Sequence, residues 1–289
     1  MLLTKALSSV DAYVDFFSDQ TLPMLRKSQK ALEQLRSNAD EINSKILAGI
    51  VEEDPLLALY LFRCQSRFPR KTLGHEVTTV DRIILMMGTR HFYEACMACP
   101  VLENQLEEQR HALLGALQVI NVSRKAARCA KEWAILRNDM NVEEITVAAL
   151  LHGVVEIMCW IFASQLAMQV KKKQEDNPQM PVKQAQAEIF GCTAREVLLP
   201  LIKRWRMPEV LISLLQENQN PRVVNIKLAC RFARHLTKGW DNPALMTDLE
   251  MIANLTHQNR EQLVARLGVP EHLREQFVLS GHSSEPDLF

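Results

Sequence analysis

Hydrophobic residues recur along this chain at intervals of three and four, which is the spacing of one buried helix face. No stretch alternates apolar and polar residues with the β-branched content that is typical of a strand. The pattern therefore predicts an all-α protein. Besides a central helix described next, it predicts helices over residues 2–17, 24–35, 40–53, 56–64, 79–88, 91–99, 103–133, 183–190, 193–206, 208–216, 222–238, 243–256, 259–267 and 270–278.

The most apolar segment, Ile145 to Ala163, predicts a central helix. Asn141 followed by Glu144 has the form of a capping box that opens this helix. The apolar character continues to Val170, which is long enough for a membrane span, but a glutamate in mid-span is costly in a bilayer. We therefore interpret the segment as the buried helix of a soluble protein, followed by an exposed polar loop from Lys171 to Val182.

His152 and Glu156 are the strongly ionisable side chains of this central helix. They lie four residues apart, so they share one face of a regular helix. Two interpretations follow. The pair is either the remnant of a catalytic site, or a structural feature of the core in which the histidine bonds Glu156 or a backbone carbonyl.

Composition narrows the functional classes only slightly. The chain has 289 residues, of which 47% are apolar and 24% charged, and 34 basic residues balance 34 acidic ones. A formal net charge of zero gives no overall attraction to nucleic acid or to an anionic membrane. Seven scattered cysteines favour a reducing compartment over a disulfide framework, and the first residues do not form a secretory signal. We therefore expect a cytoplasmic protein that does not bind membranes.

An ordered set of short motifs resembles the HDOD family, which consists of helical relatives of the HD phosphohydrolases. Each motif is weak alone, but their order and spacing cover roughly residues 20–265. The motifs are Leu22-Pro23, Glu53-Asp54-Pro55-Leu56-Leu57, Gln65-Ser66, Val77 to Gly88, Leu150-Leu151-His152, Glu188 with Gly191, and Trp205 with Met207-Pro208.

The resemblance implies an N-terminal helix over residues 1–20, an HDOD-like helical domain over 20–265, and a C-terminal helix and tail over 266–289. It leaves open whether the domain is one unit or two helical sub-bundles, which would cover about 20–105 and 106–265.

HD hydrolases hold a divalent metal between His and Asp side chains of several helices, and the metal activates a bound water. The resemblance places these ligands at positions that this chain fills differently. Gly153 replaces the Asp of the central His-Asp pair, and the upstream His position falls just before Ser123. Ala194 and the segment 216–218 replace the remaining histidines. We therefore predict no catalytic residue, no metal and no cofactor, and we call the remnant at His152 and Glu156 the vestigial site.

Two further features carry candidate chemistry. Cys96 and Cys99 have the spacing of redox and zinc motifs, but they have no second pair at a suitable distance and lie in an apolar stretch that favours plain packing. Basic residues cluster near the end of the 193–206 helix and along the 222–238 helix, where they form either an anion-binding face or an ordinary solvated surface. They are Lys203, Arg204, Arg206, Arg231, Arg234 and Lys238.

The resemblance implies a non-enzymatic bacterial signal-transduction module that binds a signalling protein in trans or responds to a ligand in the vestigial site. One alternative is a metal-dependent phosphohydrolase with an altered site that uses His152 and Glu156. The other is a binder of nucleotides, cyclic dinucleotides or nucleic acid that uses the basic residues. Tightly held metal would favour the first alternative, and binding that weakens steeply with salt would favour the second.

Overall fold

The computed structural model describes residues 2–37, 43–65 and 77–279. Within these ranges the protein consists of helices and connecting segments, with one isolated bridge between Met24 and Val101, so the all-α prediction is confirmed. The first half contains α1 (Val10–Ser18), α2 (Arg26–Ser37), α3 (Ser44–Val51), α4 (Pro55–Gln65), α5 (Val80–Met87), α6 (Thr89–Met97) and α7 (Leu102–Gln105). The second half contains α8 (Arg110–Leu136), α9 (Val142–Leu151), α10 (Val154–Phe162), α11 (Ser164–Asp176), α12 (Val182–Phe190), α13 (Ala194–Arg204), α14 (Glu209–Leu215), α15 (Pro221–Leu236), α16 (Ala244–Thr256), α17 (Arg260–Leu267) and α18 (Glu271–Leu279).

The 27-residue helix α8 is the centre of the second half. It packs mainly against α9, α10 and α15, and more lightly against α4, α11 and α16. Most of its buried positions carry small side chains, so neighbouring backbones come close to it. These positions are Ala112, Gly115, Ala116, Ser123, Ala126, Ala127, Cys129, Ala130 and Ala134, with Ile120 and Trp133 as the larger ones.

Asp54 and Pro55 begin α4 as the sequence motif predicts. Pro55 takes the first helical position, where a missing N–H costs nothing. The buried Asp54 carboxylate accepts the backbone N–H of Leu25 at 2.8 Å and those of Leu56 and Leu57 at 3.1 Å. It therefore caps α4 and ties this helix to the start of α2. Because α4 also packs against α5 and α9, it joins the two halves of the chain.

The first helix is shorter than the sequence predicts. α1 begins at Val10, where Ser9 caps it by accepting the N–H of Ala12 at 3.2 Å. The preceding residues are not helical, and the N–H of Leu3 donates instead to the carbonyl of Phe162 at 2.7 Å. The prediction of a helix from residue 2 was wrong because it gave the apolar spacing more weight than the capping serine. α1 packs on α13, so the first helix of the chain lies against the second half.

The central apolar segment is two helices rather than one. α9 ends at Leu151, α10 begins at Val154, and His152 and Gly153 form the corner between them. The segment Val142–Phe162 is apolar enough to span a membrane, but 83% of its most apolar window is buried inside the fold. Its burial is that of the core of a soluble domain, as the sequence interpretation expects.

The predicted capping box at the start of this segment is absent. Asn141 precedes α9 but makes no side-chain hydrogen bond to the first turn. Glu144 accepts a hydrogen bond from the Thr78 hydroxyl at 2.7 Å instead, which links α9 to the start of α5. A tertiary partner has therefore displaced the local one.

The predicted polar loop from Lys171 to Val182 is mostly helical. α11 continues to Asp176, because its Lys, Gln and Glu residues are good helix formers although they are polar. The loop is confined to residues 177–181. An ion pair between Lys173 and Glu188 joins α11 to α12 beside it.

The other predicted helices are confirmed with small shifts of their ends, and those after residue 182 agree with α12 to α18. The predicted helix over 103–133 is divided by residues 106–109 into α7 and α8. The predicted start of α3 at residue 40 and the tail over 280–289 lie outside the described residues.

The packing of α8 gives a stability test at Gly115. A Cβ added there would lie 2.4–2.5 Å from three ring carbons of Trp160, on α10. We expect Gly115→Ala to lower the free energy of unfolding by about 1–3 kcal/mol, the usual cost of overpacking a core. Urea denaturation followed by circular dichroism measures this change.

Gly49→Ala is the matched control, because it makes the same substitution at an exposed helical position with no atom within 4 Å of the added Cβ. This variant should gain about 0.5–1 kcal/mol from helix propensity. Equal effects of the two substitutions would show that Trp160 does not pack against Gly115 in solution.

Candidate functional site

The vestigial site lies at the corner between α9 and α10, where the backbone comes close to α8. A Cβ added to Gly153 would lie 2.9 Å from Ser123 Oγ and 3.5 Å from Val119 Cγ1. The position expected to carry the bridging Asp therefore contacts the part of α8 expected to carry the upstream His. An aspartate at position 153 would have to displace the Ser123 side chain first. The Ser123 hydroxyl therefore lies where the side chain of the expected ligand would begin.

The other ligand positions that the resemblance implies are Ala194 and residues 216–218. The guanidinium group of Arg195 lies beside them. Arg195 is in the first turn of α13, next to Ala194, and its Nη2 donates to the carbonyl of Leu215 at the end of α14. Its Nη1 is buried and has no hydrogen-bond partner among the described residues. Burial lowers the pKa of Arg195, and the charge of Glu217 partly offsets this effect. The start of α13 and the end of α14 thus converge as the resemblance implies, but they surround a fixed cation.

His152 is held in its neutral form at this site. Burial is the main cause that lowers the pKa of His152 to about 3, and nearby cations act in the same direction. In decreasing order of effect, these cations are Arg195, Arg234, Lys227 and Lys183. A positive potential that disfavours an imidazolium ion also disfavours a divalent metal cation.

Glu156 is bound by Arg234. The Nη2 of Arg234 lies 3.1 Å from Oε1 and 3.0 Å from Oε2 of Glu156, and Gln186 Nε2 donates to Oε1 at 3.4 Å. Gln186 Oε1 in turn accepts the N–H of Ala194 at 3.1 Å. This network connects α10, α12, α13 and α15. The carboxylate raises the pKa of Arg234, and the guanidinium neutralises the carboxylate that the sequence offered as a partner for His152.

These residues do not fit a catalytic metal. Such a centre needs several His or carboxylate donors that converge and leave a coordination position open. Across residues 2–37, 43–65 and 77–279, no three His, Cys, Asp or Glu side chains form a group that could hold an ion. His152 and the arginine-bound Glu156 offer too few donors, and the charge around them is cationic.

The predicted anion-binding residues fall into two groups. Lys203, Arg204 and Arg206 lie at the end of α13 and are exposed. Arg204 pairs with Asp15 of α1 at 2.7 Å, so part of this charge ties α1 to α13.

The second group belongs to α15. Arg231 Nε pairs with the buried Asp248 of α16 at 2.7 Å, whereas Arg234 points to Glu156 of α10. Lys238 lies just beyond the end of α15 and is exposed. Arg234 and Lys238 line one cavity, described below.

The Cys96 and Cys99 thiols are buried in the first half of the chain. Burial raises the pKa of both thiols, to about 12 for Cys99. Such thiols are poor nucleophiles and poor metal ligands at neutral pH, which favours the packing interpretation.

A pocket of about 500 Å³ opens beside the vestigial site. We call it the Trp160 pocket. Trp160 forms one side, Glu156 and Arg234 lie within it, and Lys171 and Lys238 are its exposed lysines. The sequence interpretation singled out Glu156, Arg234 and Lys238 but missed Trp160 and Lys171. Gly115, a lone glycine in the long helix α8, was the one available signal that a bulky residue lies against that helix.

The fold is similar to solved structures at low sequence identity. The MmoQ response regulator from Methylococcus capsulatus str. Bath matches with a TM-score of 0.65 and 17% identity over 88% of this chain and 100% of that chain. A virulence factor from Campylobacter jejuni subsp. jejuni matches with a TM-score of 0.59 and 17% identity over 93% of this chain and 97% of its own. At this identity the similarity shows the fold alone. No curated protein sequence matches the chain.

The HDOD domain family matches residues 22–221, which is more than half of the chain. The match begins at the Leu22-Pro23 motif and includes the corner at His152 and Gly153 as well as the starts of α4 and α13. The resemblance seen in the sequence is confirmed, and the chain belongs to the HDOD domain family.

Proposed function

We propose that this protein is a non-enzymatic regulatory module of bacterial signal transduction, which acts in the cytoplasm by binding a signalling protein in trans. The observation that carries the proposal is the position of the Arg195 guanidinium between α13 and α14, where an HD hydrolase would hold metal-binding histidines. A fixed cation there supplies neither an open coordination position nor an activated water.

The vestigial site favours this function over the altered phosphohydrolase. That alternative needs His152 and Glu156 as metal ligands. The imidazole of His152 is surrounded by positive charges, which disfavour a metal cation beside it. Both carboxylate oxygens of Glu156 accept hydrogen bonds from Arg234. A third ligand would have to come from the position of Gly153, the position just before Ser123, or that of Ala194.

The comparisons are consistent with a regulatory role. The HDOD family is a relative of the HD phosphohydrolases, and the MmoQ protein is described as a response regulator. A scaffold that keeps the HD fold without its donors is suited to recognition rather than to catalysis.

Nucleic acid is a weaker candidate for the partner. Binding to a phosphate backbone needs several cations that are free to contact phosphates along one surface. Arg204, Arg231 and Arg234 instead pair with carboxylates of this chain, and they lie in two groups on different helices.

Metal content and phosphodiesterase activity test the proposal directly. Tag-free protein purified without chelator should carry no near-stoichiometric Mn, Fe, Ni or Zn by plasma mass spectrometry. It should not hydrolyse bis(p-nitrophenyl) phosphate when Mn²⁺ or Fe²⁺ is added, under conditions in which an active HD phosphohydrolase does. The reason is that, among the described residues, no group of three His, Cys, Asp or Glu side chains could hold a metal ion.

His152→Ala and His91→Ala are the paired variants for this experiment, since His91 is an exposed histidine of α6. Bound metal or turnover that disappears in His152→Ala but persists in His91→Ala would establish the phosphohydrolase and refute the regulatory proposal.

The electrostatics of the vestigial site predict a pH dependence of stability. The pKa of His152 is lowered to about 3 in the folded protein, whereas an unfolded histidine titrates near 6.5. Between these values the unfolded chain binds one more proton than the folded one. The free energy of unfolding therefore rises with pH through this window. Acidification from neutral pH lowers it by up to about 1.4 kcal/mol per pH unit because of this one residue.

Urea denaturation from pH 4.5 to 7.5 of the wild type and of His152→Gln separates this contribution from other groups. The difference in unfolding free energy between the two proteins should depend on pH below about 6 with that slope. Parallel curves would show that His152 is not held neutral by its surroundings.

A further inference from the structure

The aromatic side of the Trp160 pocket is held in a fixed orientation. Three carbons of the indole (Cδ2, Cε2 and Cε3) would lie at nearly equal distances, 2.4–2.5 Å, from a Cβ on Gly115. The ring therefore rests its face on the α8 backbone. Trp160 is only half-buried and lines the pocket, so it offers a preoriented aromatic surface to a ligand. Preorientation reduces the entropy that binding would cost.

The charged lining of the pocket favours an anion. Lys171, Arg234 and Lys238 contribute three positive charges, and Glu156 contributes one negative charge, which Arg234 neutralises. Lys171 and Lys238 are exposed and come from different elements, the middle of α11 and the end of α15. Lys171 forms an exposed ion pair with Glu175 at 3.8 Å along α11, and Glu175 does not line the pocket. The two lysines therefore leave a net positive potential for an incoming group.

The size and polar lining of the pocket fit a small organic ligand. A volume of about 500 Å³ is within the range of typical small-molecule sites, which is about 300–1,000 Å³. The amides of Gln118 on α8 and Gln174 on α11 line it beside the apolar side chains. Such groups both donate and accept hydrogen bonds, as the edge of a heterocyclic base requires.

We propose that the Trp160 pocket binds a 5′-mononucleotide, with the base against Trp160 and the phosphate near Lys171 and Lys238. The inference rests on the proposed function in one respect, which is that the ligand is a signal and is not consumed. Binding of the ligand is coupled to the protein surface, because the loop over 177–181 between α11 and α12 forms one wall of the pocket. A ligand that contacts Lys171 and this loop changes the surface offered to a protein partner.

Isothermal titration calorimetry with 5′-GMP and 5′-AMP tests the proposal. The full chain should bind at least one of them, and should bind guanosine, adenosine and inorganic phosphate at least about tenfold more weakly, since each of these lacks one of the two recognised groups. Lys171→Gln and Lys238→Gln should each weaken nucleotide binding about tenfold, the effect of losing one charge-assisted contact. Trp160→Leu should weaken it by about tenfold or more through lost stacking.

Lys172→Gln is the matched control, because Lys172 is exposed on the same helix and does not line the pocket. Binding by this variant should equal that of the wild type. No binding of either nucleotide at millimolar concentration would overturn the inference, as would equal weakening by Lys171→Gln and Lys172→Gln. Phosphate that binds as tightly as the nucleotides would also overturn it, because the aromatic surface would then play no part.

Chromatography of the nucleotide after prolonged incubation separates this inference from the proposed function. Bound and unchanged nucleotide supports both. Bound nucleotide that is hydrolysed would refute the non-enzymatic role while leaving the pocket assignment intact. Absence of binding together with absence of hydrolysis would remove the pocket assignment alone.

Discussion

The close approach of α10 to α8 is the constraint on which the rest of the second half depends. It is made possible at two points by the absence of a Cβ, at Gly153 against Ser123 and at Gly115 against Trp160. The first contact fixes the corner that carries His152. The second fixes the ring that forms one side of the Trp160 pocket. Between these points, α10 presents Glu156 to Arg234 of α15. The vestigial site and the pocket are therefore two consequences of one helix–helix contact, and a larger side chain at either glycine would disturb both.

Much of the fold is predictable from local sequence, because amphipathic periodicity and helix-start signals act over a few residues. The start of α4 at Asp54 and Pro55 and the helices after residue 182 were predicted from such local signals. The errors occurred where a tertiary contact decided the outcome. The corner at Gly153 is invisible to periodicity, since both flanking helices are apolar. Glu144 was assigned to a local cap, but its partner Thr78 is 66 residues away.

The candidate site was predictable only in part, for the same reason. The sequence identified His152 and Glu156 because two ionisable groups within an apolar run are conspicuous. Their partners come from distant positions, with Gln186 30 and Arg234 78 residues from Glu156. Arg195 gave no signal, since an arginine next to a missing histidine looks like an ordinary surface residue until α13 and α14 are placed together. The Trp160 pocket is lined by residues of seven helices and has no local sequence pattern at all.

The charged side chains of the vestigial site supply links between helices that need no metal ion. A metal ion in this fold links several helices by binding their side chains, and its positive charge compensates nearby carboxylates. Here Arg195 links α13 to α14 through the carbonyl of Leu215, and Arg234 compensates Glu156 while linking α15 to α10. Each guanidinium carries its charge on the chain itself, so these links do not depend on an ion being available. In the proposed function, these links maintain the helix arrangement without a Lewis acid. The result is a positively charged region beside an open pocket, and this combination supports the proposed recognition of an anion.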